Sequence, residues 1–262
     1  MTALLEVEDL HKHFGGVQAV TACSFTVAEG QITGLIGPNG AGKSTAIDLI
    51  SGFKIPDTGK VRFEGKEVQG KPPHHIARMG LTRTFQSPRE WPGLSVLENL
   101  ILACFEPRRE RFWRSLFGPS RAERLRADEQ LLRARVILEE FGLFHLRNER
   151  AGNLSGGQKR LLEFGRIRMA APRLVILDEP MGGVNPVLGE RMAVAVLGFV
   201  KTGTSVVIVE HNLPFIERVT DQVVVMAAGK VIAEAPFDEL RGNPAVVDAY
   251  LGETPEYDDA DD

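Results

Sequence analysis

Residues Gly37-Pro38-Asn39-Gly40-Ala41-Gly42-Lys43-Ser44-Thr45 fit the pattern G-x-x-x-x-G-K-[ST] and lie between an apolar run and a helical one. That spacing suits a phosphate. The glycines let the backbone curl until successive N–H groups point inward, Lys43 brings a cation to β and γ oxygens, and the Ser44 hydroxyl can ligate Mg²⁺. A second reactive group, Asp178-Glu179, ends the apolar run Leu174 to Leu177. An acidic pair at a strand end is ordinary by itself. Beside a phosphate loop, Asp178 can hold Mg²⁺ through water and Glu179 can polarise a water that attacks the γ-phosphate. His211 follows the apolar run Val206 to Glu210 and suits a γ-phosphate contact, while Gln86 ends a strand from Leu81 to Phe85 and could reach Mg²⁺ and the same water. A lone histidine after a strand and a polar strand terminus are more often structural, so both depend on the company they keep.

Leu154-Ser155-Gly156-Gly157-Gln158 opens a helical pattern of its own. First-turn amides lack intrahelical acceptors and sit at a positive dipole end, so this stretch offers a second phosphate cradle. One nucleotide needs one cradle, and the second therefore asks whose phosphate it serves.

The elements that must position these residues can be read from periodicity. Residues 4–9 and 20–27 read as strands joined through His13-Phe14-Gly15-Gly16, and residues 31–36 as a short buried strand that ends at Gly37. A helix is expected from near Gly42, a strand at 60–64, a helix at 74–79 and a strand at 81–85. From about Ser95 to Met169 the pattern turns helical, over 96–105, 121–141 and after Gly156, with an irregular stretch at 106–120. Strands resume at 174–177 and 205–209 around a helix at 186–200, followed by a closing strand pair at 222–226 and 230–233 and a last helix at 245–251. The helical region is thus inserted between two strands of one sheet.

Composition sets outer bounds. The 262 residues are 43% hydrophobic, enough for one large α/β domain with an insertion. The net charge of −4 conceals an acidic end, because residues 253–262 hold six acids and no base, as a solvated, disordered tail does. Residues 106–126 carry seven arginines against three glutamates, a mixture that reads as an exposed helical region, so no nucleic-acid partner is expected. Cys23 and Cys104 are the two cysteines, without ligand-spaced histidines, which argues against a disulfide framework or a zinc site and for a reducing compartment. Glu6, Glu8 and Asp9 replace the basic start of an export signal, and no apolar run approaches the ~18 residues of a membrane span.

The ordered set of phosphate loop, Gln86, Leu154 to Gln158, Asp178-Glu179 and His211 resembles the nucleotide-binding subunit of an ABC transporter, over residues 4 to about 252. LSGGQ is its most specific element, since ordinary P-loop ATPases and GTPases lack it. The resemblance implies an α/β fold: a P-loop NTPase core with a mixed sheet, an N-terminal antiparallel β region and an inserted helical subdomain. Core and antiparallel region would occupy 1–94 and 166–252, the insertion 95–165. It also implies an ATPase using ATP and Mg²⁺. Two such subunits pair head to tail, with Ser155, Gly156, Gly157 and Gln158 of one closing over ATP held by the phosphate loop of the other. The site residues then comprise Lys43, Gln86, Glu179 and His211 for catalysis, Ser44, Gln86 and Asp178 for metal, and Gly37 to Thr45 for nucleotide. Phe14 falls where the family stacks an aromatic ring on adenine, the alternative being a hairpin core anchor, and Asn185 falls in the loop where many members have Asp.

Local spellings narrow the resemblance: Phe14-Gly15-Gly16, Arg83-Thr84-Phe85-Gln86, the Arg-rich insertion after Phe105, Val209-Glu210-His211 and Ala249-Tyr250-Leu251-Gly252. Together they are similar to the ATPase of branched-chain amino acid importers. The implied partners are a second ATPase, identical or paralogous, two transmembrane permease subunits that dock near 86–94, and an extracytoplasmic substrate-binding protein. The implied location is the cytoplasmic face of the inner membrane. A lipopolysaccharide-type exporter ATPase is a near relative. DNA-repair and chromosome ATPases separate the two cradles by long coiled coils, whereas residues 46–153 show no sustained heptads. A module that binds ATP without turnover is disfavoured by the presence of Lys43, Glu179 and His211 together.

Overall fold

The structure is a computed structural model that describes residues 2–84, 90–104 and 121–251. Strands β1 (Ala3–Phe14) and β2 (Val17–Ala28) form a hairpin around Gly15 and Gly16, and β3 (Ile32–Ile36) leads into the glycine loop and helix α1 (Lys43–Ile50). β4 (Thr58–Phe63), the two-residue β5 (Lys66–Glu67), α2 (Pro73–Arg78) and β6 (Leu81–Arg83) follow. Then come α3 (Val96–Ala103), α4 (Arg121–Glu140) and α5 (Gly156–Ala170), before β7 (Leu174–Asp178), α6 (Pro186–Lys201), β8 (Ser205–Val209) and α7 (Leu213–Val219). The chain ends with β9 (Gln222–Ala227), β10 (Lys230–Ala235), α8 (Phe237–Leu240) and α9 (Pro244–Leu251).

Two compact units emerge. Residues 2–84, 173–182 and 200–251 make the first, and residues 90–104, 121–172 and 183–199 the second. In the first unit, an antiparallel sheet runs β2-β1-β4-β5, and a six-stranded sheet runs β10-β9-β3-β8-β7-β6. β10 is antiparallel to β9; the other pairings of that sheet are parallel. β3, β7 and β8 are buried along their whole length, which explains why they read as unbroken apolar runs without alternation. One hydrophobic core joins the two sheets through α1, with Leu5, Phe25 and Phe63 from one sheet, Leu35, Ile176 and Val224 from the other, and Ile47, Leu49 and Ile50 from the helix.

The second unit is helical. α3, α4 and α5 converge at Gly165, where an added Cβ would lie 3.0 Å from Leu100 and 3.4 Å from Ile137. α4 buries Ala134, Ile137 and Leu138, whereas Leu125, Leu132 and Val136 point outward, so only one of its two apolar stripes faces the core. The sequence reading assigns 166–252 to the core, but α6 as far as Phe199 packs with the inserted helices. Phe199 lies 5.6 Å from Phe164 of α5, and Arg168 donates to the Gly198 carbonyl at 2.8 Å. β5, α7 and α8, of two, seven and four residues, are not among the elements expected from the sequence. The expected loop at 106–120 and the acidic tail lie outside the described residues.

Both cysteines are free thiols, and burial pushes Cys23 up to about 12. Phe63 is fully buried between the sheets. Phe63→Ala is expected to destabilise the first unit by about 3–5 kcal/mol, read as a lowered urea midpoint; an unchanged midpoint would remove this residue from the core.

Candidate functional site

Parallel pairing dictates where the site residues end up. Leu35 pairs with Val209, and Val209 with Asp178, so β3, β8 and β7 finish in one row at the carboxyl edge of the sheet. The chain leaves each of those strands with a site residue: the glycine loop after Ile36, Glu210-His211 after Val209, and Glu179 after Asp178. Ligands bind outside the carboxyl ends of strands in open α/β sheets, where loops diverge and helix N-termini point inward.

The loop itself is set by two glycines. Gly37 has φ +148° and Gly42 φ +94°, regions unfavourable to residues with a Cβ. An added Cβ would also collide, at Gly37 with the carbonyl oxygen of Met226 and at Gly42 with that of Ala19. The fold therefore presses the antiparallel sheet and the β9–β10 turn against the loop, and Gly229 N–H donates to the Ala41 carbonyl at 3.1 Å. Lys43 folds over this cradle, and its Nζ donates to the carbonyls of Gly37 at 2.6 Å and Pro38 at 2.8 Å. These are neutral acceptors, which an anionic phosphate oxygen outcompetes.

Asp178 is 3% exposed, and its two oxygens differ. Oδ2 accepts from Arg83 at 2.8 Å, whereas Oδ1 is buried with no hydrogen-bond partner. A buried carboxylate oxygen without a partner is costly, and a hard cation would satisfy it. Among the described residues no group of three or more His, Cys, Asp and Glu could hold a metal ion. Mg²⁺ binds through one or two carboxylates plus phosphate oxygens and water, and Asp178 could supply one such carboxylate.

Arg83 also donates to Asp48 of α1 at 2.5 Å, so one guanidinium ties together the helix after the glycine loop and the strand that carries Asp178. Burial lowers the basicity of Arg83, but the hydrogen bonds to Asp48 and Asp178 outweigh it and the net shift is upward. Burial likewise works against the Asp48 charge, yet the hydrogen bonds from Arg83 and Lys54 hold its carboxyl below the usual range. Lys54 lies 5.5 Å from the Phe14 ring, and Lys12 lies as far from the same ring. Phe14 is 44% exposed, which removes the hairpin core anchor and leaves an accessible aromatic face bordered by two cations.

Glu179 is half-buried with φ +47°, a strained conformation for a residue other than glycine that costs on the order of 1–3 kcal/mol. Its N–H donates to the Val209 carbonyl at 2.9 Å, and its carbonyl accepts from Gly182 at 3.2 Å. His211 is mostly exposed, next to a buried Glu210 that accepts three backbone N–H groups.

Ser155 to Gln158 and Asn185 belong to the second unit. Ser155 caps α5 through a reciprocal box: its Oγ accepts from Gln158 N–H at 3.3 Å and Gln158 Oε1 accepts from Ser155 N–H at 2.9 Å. The amides of Gly156 and Gly157 remain in the first turn, which the helix ladder does not satisfy, and a Cβ at Gly156 would meet open space. Asn185 uses its Oδ1 to cap α6, accepting from Leu188 N–H at 2.9 Å. Gln86 lies outside the described residues.

Sequence reasoning overlooks Arg83, Asp48 and Glu210. Arg83 and Glu210 occur in the spellings quoted above, but their partners are remote or are backbone groups.

The family described as ABC transporter matches residues 20–182, and one described as branched-chain amino acid ATP-binding cassette transporter matches residues 230–255. The chain is 44% identical over 250 residues to a probable branched-chain amino acid transport ATP-binding protein, LivG, of Archaeoglobus fulgidus, covering 95% of both chains. It is 37% identical over 252 residues to the high-affinity branched-chain amino acid transport ATP-binding protein BraF of Pseudomonas aeruginosa, covering 95% of this chain and 98% of that one. Among solved structures, the ADP conformation of an ATP-binding cassette of an ABC transporter superposes with a TM-score of 0.80 at 35% identity, over 97% of this chain and 100% of that one. A nucleotide-free cassette gives 0.79 at 36% identity, over 96% and 100%.

Removing the guanidinium while keeping its bulk, as in Arg83→Met, would leave the buried Asp178 without its cation and the half-buried Asp48 with Lys54 alone. A loss of about 3–5 kcal/mol in urea unfolding is expected. Wild-type stability of that variant would mean that the bridge contributes nothing.

Proposed function

The chain belongs to the ABC transporter family, and from that premise we propose that it powers an importer of branched-chain or related amino acids. It is an ATP-binding ATPase. The observation that carries the catalytic part is the shared row of Leu35, Val209 and Asp178, from which a glycine cradle, a carboxylate with a partnerless oxygen, Glu179 and His211 all emerge.

In this reading, Lys43 exchanges the carbonyls of Gly37 and Pro38 for phosphate oxygens, and the amides from Gly40 to Thr45 line the β-phosphate. Ser44, Gln86 and Asp178 would hold Mg²⁺, which when bound neutralises charge on the β and γ oxygens. Glu179 accepts a proton from the water that attacks the γ-phosphorus, and His211 donates to a γ-oxygen. The Phe14 face stacks on adenine, a contact typically worth about 1–3 kcal/mol. Ser155, Gly156, Gly157 and Gln158 present the α5 N-terminus to the γ-phosphate held by a second cassette, identical or paralogous, near Asn185 of the same loop region. ATP then joins two chains, and its hydrolysis releases them.

Cargo selection would lie in other subunits: two permeases and an extracytoplasmic binding protein, with this chain on the cytoplasmic face of the membrane. Among the described residues no helix is long and apolar enough to cross a bilayer. The branched-chain assignment is supported by the names of the curated relatives and by the match at residues 230–255. A binding protein encoded beside the chain should bind leucine, isoleucine or valine in calorimetry. Failure to bind any hydrophobic amino acid would sink the cargo assignment and leave the ATPase untouched.

Glu179→Gln should retain nucleotide affinity while turnover falls by roughly 10²–10⁴-fold, because only the proton acceptor is lost. Wild-type turnover would remove Glu179 from that role. Ser155→Arg should leave nucleotide binding by the single chain intact and abolish ATP-dependent pairing in a sizing experiment; undiminished pairing would contradict the two-chain site.

A further inference from the structure

Glu210 is 1% exposed, and each of its carboxylate oxygens faces a different loop. Oε1 accepts from the Met181 N–H at 2.7 Å, two residues beyond Glu179. Oε2 accepts from the N–H groups of His211 at 2.9 Å and Asn212 at 3.1 Å. We propose that Glu210 is a positioning residue for ATP hydrolysis, which holds the loop of Glu179 with one oxygen and the loop of His211 with the other. The proposal rests on the roles given above to Glu179 and His211.

Three features carry it. First, the strain at Glu179 needs restraint from its surroundings, since a left-handed conformation persists only where neighbouring structure over-determines it. Two hydrogen bonds flank that residue from the same strand end: Glu179 N–H to the Val209 carbonyl, and Met181 N–H to Glu210. The end of β8 therefore grips the Glu179 turn on both sides. Second, the geometry requires an acceptor at both ends of one side chain. Backbone N–H groups approach Oε1 from one loop and Oε2 from the other, and only a carboxylate accepts at both positions; an amide would aim its own N–H at one of the donors. Third, a buried charge bonded to amides is held tightly, because each such bond is charge-assisted and the alternative is an unsolvated carboxylate. His211 is held through its backbone N–H, while its ring projects into solvent.

The consequence is geometric. One rigid side chain sets the spacing between the group that accepts the proton of water and the group that contacts the γ-phosphate, and neither can shift without breaking a bond to the other's support. Misplacement of reacting groups by about 1 Å costs on the order of 100-fold in rate. Nucleotide affinity depends on the glycine loop and Lys43 and has no reason to follow.

The test uses the full chain and its MgATP turnover. Glu210→Gln should lower kcat by on the order of 100-fold while the affinity for MgATP changes by less than about threefold. Glu210→Asp, one methylene shorter, should keep one loop and recover part of the loss. Added to Glu179→Gln, Glu210→Gln should cost little further turnover, because both act on one step. In the unmutated chain, the Met181, His211 and Asn212 amides should exchange with deuterium more slowly than that of Gly183 in the same region, a measurement that needs no variant to fold. Wild-type kcat in Glu210→Gln, parallel loss of affinity and turnover, or exchange at those three amides as fast as at Gly183 would each overturn the positioning role. If Glu179→Gln itself turns over ATP normally, the reading of the site fails first, and the two failures are thereby told apart.

Discussion

The in-register parallel pairing of β3, β8 and β7 is the constraint on which the rest of the first unit depends. Because Leu35, Val209 and Asp178 share a row, three segments distant in sequence turn away from the sheet at the same height. A shift of one residue in β8 would break that row and displace His211 along the carboxyl edge of the sheet. Each of the three strands is buried along its whole length, so its backbone groups must all find partners within the sheet.

Onto this frame the sequence adds polar groups that are expensive unless paired. Arg83 joins Asp48 and Asp178 across three elements, and Glu210 collects amides from two loops. Both arrangements place charge where water is excluded, so each is stable only in the intended geometry. They differ in what they leave open. The Arg83 bridge occupies one oxygen of Asp178 and leaves the other bare, whereas both oxygens of Glu210 are occupied by backbone. The first pattern leaves a carboxylate oxygen that a cation could satisfy, and the second commits both oxygens to holding backbone in place.

Much of this was legible in the sequence because the local signals are strong. The run Leu174 to Leu177 bounded by two acids, and the glycines before Lys43, announce strand, loop and helix without reference to anything distant. What stayed hidden is non-local or too short. Arg83 meets Asp48 from 35 residues away and Asp178 from 95, separations that no local pattern encodes. Glu210 reads as the last residue of an apolar strand, and its partners are main-chain groups with no sequence signature. α7 begins at an Asn212 cap and contains Pro214 in its first turn, signs of a helix start, but seven residues are too few to display an apolar face. α6 reads as part of the core because it follows a core strand, whereas Phe199 finds its ring partner on α5.

The capping box at Ser155 explains why a second cradle can exist without a second phosphate loop. A helix N-terminus left open in a folded chain is a liability, since its amides must find acceptors. The Ser155–Gln158 pair satisfies the flanking donors internally and so keeps α5 formed from its first residue. It also leaves the glycine amides between them, with open space where a Cβ at Gly156 would stand. Such an end is stable alone yet retains directed donors at the positive pole of a fifteen-residue helix. The glycine loop before α1 is built the opposite way, pressed on by Ala19, Met226 and Gly229 and covered by Lys43. One loop is preorganised by its own unit; the other supplies little more than two amides and a dipole. On the proposed reading that inequality gives the pair its order of events, with nucleotide seated first on the loop and the second chain recruited to a phosphate already in place.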